Sequence, residues 1–303
     1  MLDAVSPLQA VERTRDAFMH HANGDWVMPP KVYLDSPPGD FRAMPARGDG
    51  IALLKWVTSF PANPERGLPV VTGVIVVSNA ETGEELAIID CRSVTWLRTG
   101  AAAAVSARAL AREDAATVGI IGCGVNGAWA ARCLAAAGYG PGVCHDARAG
   151  SAEALAGELG WRTGTRADAV AADIVVTCTP GEEPVILAGD PGTGQHFVAL
   201  GADAHGKAEV EPAALAQCRL FCDEWEQASA GGELSAAAMA GEIERDQVTQ
   251  LGDVLAGTAE GRHTPEEITL FDSTGLAIQD LGICLAVLEA WRDGWVDAQE
   301  VAL

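Results

Sequence analysis

Cations are scarce in this chain. Its 303 residues carry 20 Lys and Arg against 42 Asp and Glu, a formal net charge of −22. Proteins that bind nucleic acid neutralise phosphates with Lys and Arg, so this balance excludes a general polyanion-binding role and no nucleic-acid partner is expected. A single dinucleotide is not excluded, because helix ends and one or two cations can meet its few charges. Long apolar runs are also lacking: each is broken by charge, Gly or Pro before the roughly 20 residues a bilayer-spanning helix needs. The opening residues, with Asp3, Glu12 and Arg13, show neither the basic start nor the apolar centre of a secretory signal. A cytoplasmic protein without membrane contact is therefore expected. The eight cysteines are scattered, and Cys218 and Cys222 enclose the strand-like residues 219–221 with no second His or Cys pair nearby. That spacing is poor for zinc, so the expectation is buried, reduced thiols and no metal site. Internal repeats and low-complexity linkers are absent as well.

What remains is ordinary globular material. Hydrophobic residues make up 49% and charged residues 20%, enough for a sizeable core, and the length suits two domains. Apolar positions at Leu8, Val11, Ala17 and Phe18 predict an amphipathic helix over 6–22. After Met28-Pro29-Pro30, strands are expected at 31–34, 41–44, 51–58, 70–78 and 85–90, with Gly- and Pro-rich turns between them, which suggests a mainly antiparallel sheet. An alanine-rich helix over 93–112 follows. From there strand and helix alternate: strands at 118–121, 142–145, 173–178, 196–200, 219–222 and 268–271, helices at 128–137, 150–159 and 275–295. Such alternation is the signature of a doubly wound parallel sheet. The fold class expected is thus α/β: a Rossmann-type sheet over 113–273, and a mainly antiparallel α+β domain over 1–112 onto which residues 274–303 pack back.

The run Val118-Gly119-Ile120-Ile121-Gly122-Cys123-Gly124-Val125-Asn126-Gly127 is a buried strand entering Gly-x-Gly-x-x-Gly ahead of a helix. The first glycine permits the bend, the second lets backbone approach a pyrophosphate, and the third lets helix and strand pack closely. Phosphates would rest on the helix N-terminus. Asp146 follows Gly122 by 24 residues at the end of the next strand, placed to hydrogen-bond ribose hydroxyls or, alternatively, to shape a turn. An aspartate there disfavours a 2′-phosphate and points to NAD; Arg148, able to meet that phosphate, leaves NADP open. Lys55 shares a strand face with Ile51, Leu53 and Val57, an unfavourable place for a charge unless it is paired or faces a cleft; an edge-strand lysine is the alternative. Arg42 and Arg98 are cations in apolar settings, suited to a carboxylate or phosphate or equally to a structural ion pair. Asp203, His205 and Lys207 follow a buried strand where parallel sheets bind ligands, with His205 open to either a general-base or a surface role. Asp272-Ser273-Thr274-Gly275 precedes a helix and reads as a ligand contact or an ordinary N-cap.

Several longer motifs stand in order along the chain: Met28-Pro29-Pro30-Lys31-Val32-Tyr33-Leu34, Phe41-Arg42-Ala43-Met44-Pro45-Ala46, Leu54-Lys55-Trp56-Val57, Leu97-Arg98-Thr99-Gly100-Ala101-Ala102, Gly201-Ala202-Asp203, and Phe271-Asp272-Ser273-Thr274-Gly275-Leu276-Ala277-Ile278-Gln279-Asp280. Together they resemble the ornithine cyclodeaminase/μ-crystallin family, most of all its archaeal-type alanine dehydrogenase branch, almost end to end. The resemblance implies Lys55 and Asp203 as catalytic residues, and Arg42, Lys31 and Arg98 as substrate-binding. It also implies an NAD site of Gly122, Gly124, Val125, Asn126, Gly127, Asp146 and Arg148, with Thr99, Lys207 and Ser273. The implied substrate is a small amino acid or 2-oxo acid, with L-alanine the foremost expectation, and the implied assembly is a homodimer formed through the N-terminal domain. Two departures are visible: ornithine cyclodeaminases carry glutamate at the position of Arg42, and many relatives carry glutamine at that of Asn126. Ornithine cyclodeamination, imine reduction and non-catalytic NAD(P) binding are the alternatives within the same family.

Overall fold

The protein, described by a computed structural model over residues 2–180, 183–203 and 206–299, divides into two compact units. One comprises Met1–Arg98 with Leu276–Leu303, the other Thr99–Gly275. In the first, helix α1 (Pro7–Ala22) begins on a reciprocal cap: Ser6 Oγ accepts from the Gln9 amide at 3.3 Å and Gln9 Oε1 accepts from the Ser6 amide at 2.9 Å. Five antiparallel strands follow in chain order, β1 (Val32–Ser36), β2 (Gly39–Gly48), β3 (Ile51–Ser59), β4 (Val71–Asn79) and β5 (Glu85–Asp90). Their register sets Arg42 opposite Val57, and Lys55 opposite Met44 on one side and Ile75 on the other.

Strand β2 does not stop at Met44 as expected but continues through Pro45. The Arg47 amide donates to the Val27 carbonyl, so Pro45, two residues earlier, turns its nitrogen to the same side. The pairing with β1 ends at Val32 opposite Ala43, which leaves that nitrogen no strand partner to disappoint. One face of the sheet buries Met44, Ala46, Leu53, Val57, Ile75 and Val77, whereas Leu54, Trp56, Val74 and Ile88 remain exposed. The C-terminal helix (Ala277–Arg292) belongs to this unit and packs on α1, β2 and β3. At their crossing Gly282 permits close approach, since a Cβ there would come 2.8 Å from the Arg13 carbonyl. An ion pair of Arg13 with Glu289 joins the same two helices.

Helix α2 (Cys91–Leu110) contains the first boundary between the units, and Ala101–Ala104 within it are fully buried. The second unit then runs β6 (Val118–Ile121), α3 (Val125–Ala136), β7 (Gly142–His145), α4 (Ala149–Leu159), β8 (Arg162–Thr163), α5 (Arg166–Val170), β9 (Ile174–Thr177), β10 (His196–Ala199), α6 (Pro212–Leu215), β11 (Arg219–Cys222), α7 (Trp225–Gly231), α8 (Ser235–Met239), β12 (Val248–Gln250), α9 (Leu251–Leu255) and β13 (Thr269–Asp272). Its eight strands lie in the order β12-β11-β13-β10-β9-β6-β7-β8, all parallel. Every residue of β6, β9, β10 and β13 is buried, as both faces of a parallel sheet must be. The chain winds outward in opposite directions from β6 and β9, and this reversal opens the crevice in which α/β sheets bind ligands. Strands β8 and β12, of two and three residues, carry too few side chains for an alternating pattern and are not foreseen from sequence.

Candidate functional site

In the first unit a buried charge cluster forms around Lys55. The lysine is 1% exposed, and its Nζ donates to Asp280 Oδ1 at 2.9 Å and Thr95 Oγ1 at 2.7 Å. Arg98 Nε approaches the same Asp280 oxygen at 3.5 Å, an ion-pair contact rather than a hydrogen bond. Burial pulls the Lys55 pKa below the ordinary lysine value; Asp280 resists that fall and Arg98 reinforces it. The lysine's setting on an apolar face is therefore explained by pairing. Asp280 was not foreseen, yet a signal existed: it stands among Ile278, Leu281 and Ile283 in a largely apolar helix, where only a buried partner makes a carboxylate tolerable.

Arg42 shares the inward face of the sheet. Its Nε and Nη2 fork onto Asp40 at 2.6 and 3.2 Å, and its guanidinium lies over the Tyr33 ring at 5.4 Å from the centroid. Lys31 is half-buried just before β1. The chain has only three lysines, Lys31, Lys55 and Lys207, and all three are candidate site residues.

The second unit holds the glycine turn. Gly122 has a φ of +95°, a conformation that favours glycine. A Cβ on Gly127 would come 1.9 Å from the Gly122 carbonyl oxygen, so this glycine is required for helix α3 to close on β6. Gly124 differs: among the described residues the nearest atom to a Cβ there is Arg148 Nη2 at 3.9 Å, space that suits a ligand. No side chain caps α3, whose N-cap is Gly124 itself. Asp146 braces the turn, its Oδ2 accepting from the Cys123 amide and its Oδ1 from the Arg148 amide, both at 2.7 Å. Arg148 extends into solvent. Val125 is exposed at the helix start, Asn126 is half-buried behind it, and Thr99 is buried in α2. An open glycine, uncapped helix amides and an adjacent strand-end aspartate suit a dinucleotide.

Farther along the same sheet edge Lys207 Nζ donates to Asp203 at 2.7 Å; His205 lies outside the described residues. Buried Glu209 ties the strand ends beneath them, accepting from the Thr179 amide (2.6 Å) and hydroxyl (2.8 Å), the Thr177 hydroxyl (2.8 Å) and the Gly201 amide (2.7 Å). Glu233 accepts from the Glu209 and Val210 amides, and burial pushes its pKa up to about 7. Asp272, buried near Asp223 and Glu233, is raised well above the usual carboxylate range. Glu209 and Glu233 give no sequence signal, being acidic residues in connecting segments. The ordinary N-cap reading of 272–275 is corrected: the C-terminal helix starts at Ala277, its cap is Leu276, and the Leu276 amide donates to Gln279 Oε1 at 3.0 Å. Ser273 instead lies buried at the end of β13, its amide bonded to the Ala199 carbonyl at 3.0 Å.

Alanine dehydrogenase of Archaeoglobus fulgidus is 39% identical over 292 residues, covering 94% of this chain and 91% of that protein. An archaeal alanine dehydrogenase dimer solved with bound NAD superposes with a TM-score of 0.93 at 38% identity, over 97% of this chain and 94% of that one. Iminosuccinate reductase of Paracoccus denitrificans in complex with NAD+ superposes with a TM-score of 0.91 at 30% identity, over 99% and 96%. Residues 3–295 match the ornithine cyclodeaminase/mu-crystallin family, and the chain belongs to that family.

Proposed function

We propose that this protein is an NAD(H)-dependent amino acid dehydrogenase that interconverts L-alanine and water with pyruvate and ammonium. The observation that carries the reading is the buried Lys55 on the same sheet face as Arg42, in a chain that aligns nearly end to end with an alanine dehydrogenase. When bound, NAD supplies the acceptor, and in reduced form the donor, of the hydride exchanged with the substrate Cα. Residues 122–127 and Asp146 would hold the dinucleotide, the uncapped helix amides being suited to its phosphates. Arg42 binds the substrate carboxylate through its planar fork and so fixes the direction of the Cα hydrogen, a positional contribution. Lys55 polarises the oxygen at the reacting carbon as water adds or ammonia leaves. Asp203 carries the proton exchanged with the amine or water.

Supply of L-alanine with NAD, or of pyruvate and ammonium with NADH, is expected to change the nicotinamide absorbance; no turnover in either direction would overturn the alanine assignment. The likeness to iminosuccinate reductase favours one second reading, reduction of an imine formed elsewhere. Imines supplied with NADH in the absence of ammonium distinguish it. We also assign the exposed apolar sheet face to a homodimer contact, in keeping with the dimeric alanine dehydrogenase of the same fold.

A further inference from the structure

We propose that Asp280 is a positioning residue for this reaction: it holds the Lys55 ammonium in place and shares one negative charge between Lys55 and Arg98. The inference rests on the dehydrogenase reading for its consequence, but its geometry is independent of it. Among the described residues Lys55 has two hydrogen-bond partners, the Thr95 hydroxyl and Asp280 Oδ1. The hydroxyl donates in turn to the Cys91 carbonyl at 2.7 Å, which commits its hydrogen and leaves its lone pairs toward the ammonium. Thr95 thus orients Lys55 without charge, and the charge balance falls on Asp280. That carboxylate is completely buried, and its Oδ2 has no hydrogen-bond partner among the described residues. A buried carboxylate with one idle oxygen is held by its cations rather than by a full set of hydrogen bonds.

The groups around the ammonium are few. From α2 come Cys91 and Arg98, from the C-terminal helix Asp280 and Cys284, and from the flanking strands the apolar Met44 and Ile75. Burial holds the thiol of Cys91 at about 11 and raises that of Cys284 further. Asp280 is thus the carboxylate of the set, facing both the Lys55 amine and the Arg98 guanidinium. Lys55 consequently sits in a balance with two opposed hands: removal of Asp280 disfavours its charged form, and removal of Arg98 favours it.

Three lysines make this directly measurable. Protein labelled with 13C at lysine Cε should give three titrating signals, assigned through Lys31→Arg and Lys207→Arg. In Asp280→Asn the Lys55 signal is expected to titrate lower by about one pH unit or more, and Asp280→Glu should recover most of the loss. In Arg98→Gln the signal should move upward instead. The pH at which turnover changes with Lys55 ionisation should follow the same shifts, whereas a merely structural role would lower kcat at every pH alike. An unmoved Lys55 titration in Asp280→Asn overturns the proposal; should that variant not fold, an unmoved or lowered titration in Arg98→Gln does so. Absence of turnover in the wild-type protein would count against the dehydrogenase reading alone, because the spectroscopic titration needs no substrate.

Discussion

At the scale of single residues, Asp203 and His196 make opposite demands on a proton. Asp203 is half-exposed and paired with Lys207, a setting compatible with repeated proton exchange. Asp203→Asn should lower kcat by about 100-fold or more while NADH affinity, read by nicotinamide fluorescence, stays within a few fold. Activity that survives the change would remove the assigned acid–base role. His196 is locked away: its Nδ1 lies 2.9 Å from Thr269 Oγ1 and its Nε2 3.3 Å from Ser106 Oγ. Burial, with Arg262 adding its charge, depresses its pKa to about 3. Neutral His196 therefore contributes stability that is fully present above about 6.5, the unfolded value, and is lost as pH falls toward 3. The stability gap between wild type and His196→Gln should shrink by about 1.4 kcal/mol per pH unit below 6.5. Urea unfolding at pH 7 and at pH 4.5 measures it, and a constant gap would show that the histidine already protonates in the folded state.

Two glycines, two and five residues beyond Gly122, separate fold from ligand at the scale of the element. A methyl group on Gly127 meets the Gly122 carbonyl at 1.9 Å, which neither backbone segment can yield without moving the helix. Gly127→Ala should thus lower the midpoint of unfolding and abolish NAD binding together. Gly124 has a φ of −67°, which alanine also adopts, and among the described residues only Arg148 lies near it. Gly124→Ala should fold with unchanged stability yet bind NADH at least about tenfold more weakly, because the added methyl occupies the approach of the pyrophosphate. Calorimetric unfolding paired with NADH fluorescence titration distinguishes the two outcomes. Unchanged affinity in Gly124→Ala would place the phosphates elsewhere.

For the whole molecule, charge and surface pull against each other. A net charge of −22 keeps copies of the chain apart, whereas Trp56, Leu54, Val74 and the 61% exposed Ile88 present a continuous apolar sheet face. An apolar face of that kind marks an interaction surface, and the dimer assigned to it should form despite the repulsion. Trp56→Glu combined with Ile88→Glu is expected to convert a dimer to a monomer in sedimentation velocity, with NADH affinity retained. A wild-type monomer at micromolar concentration would contradict the assignment.

Periodicity and punctuation were sufficient for most of the architecture. Glycine at 122, 124 and 127, alternation in β3 and the strand–helix succession after Val118 are local properties, and local sterics turn them into elements without outside help. Even the discomfort of Lys55 was legible, since a lysine among Ile51, Leu53 and Val57 demands an explanation. The sequence by itself therefore determined the fold class, the family and the existence of a charged residue needing a partner. Only the tertiary structure decided who that partner is. Asp280 lies 225 positions away along the chain from Lys55, and Asp272 and Ser273 close a buried strand end rather than cap a helix. Such pairings arise because burying a charge is tolerable only beside its opposite, and that constraint acts through space, where separation along the chain carries no weight.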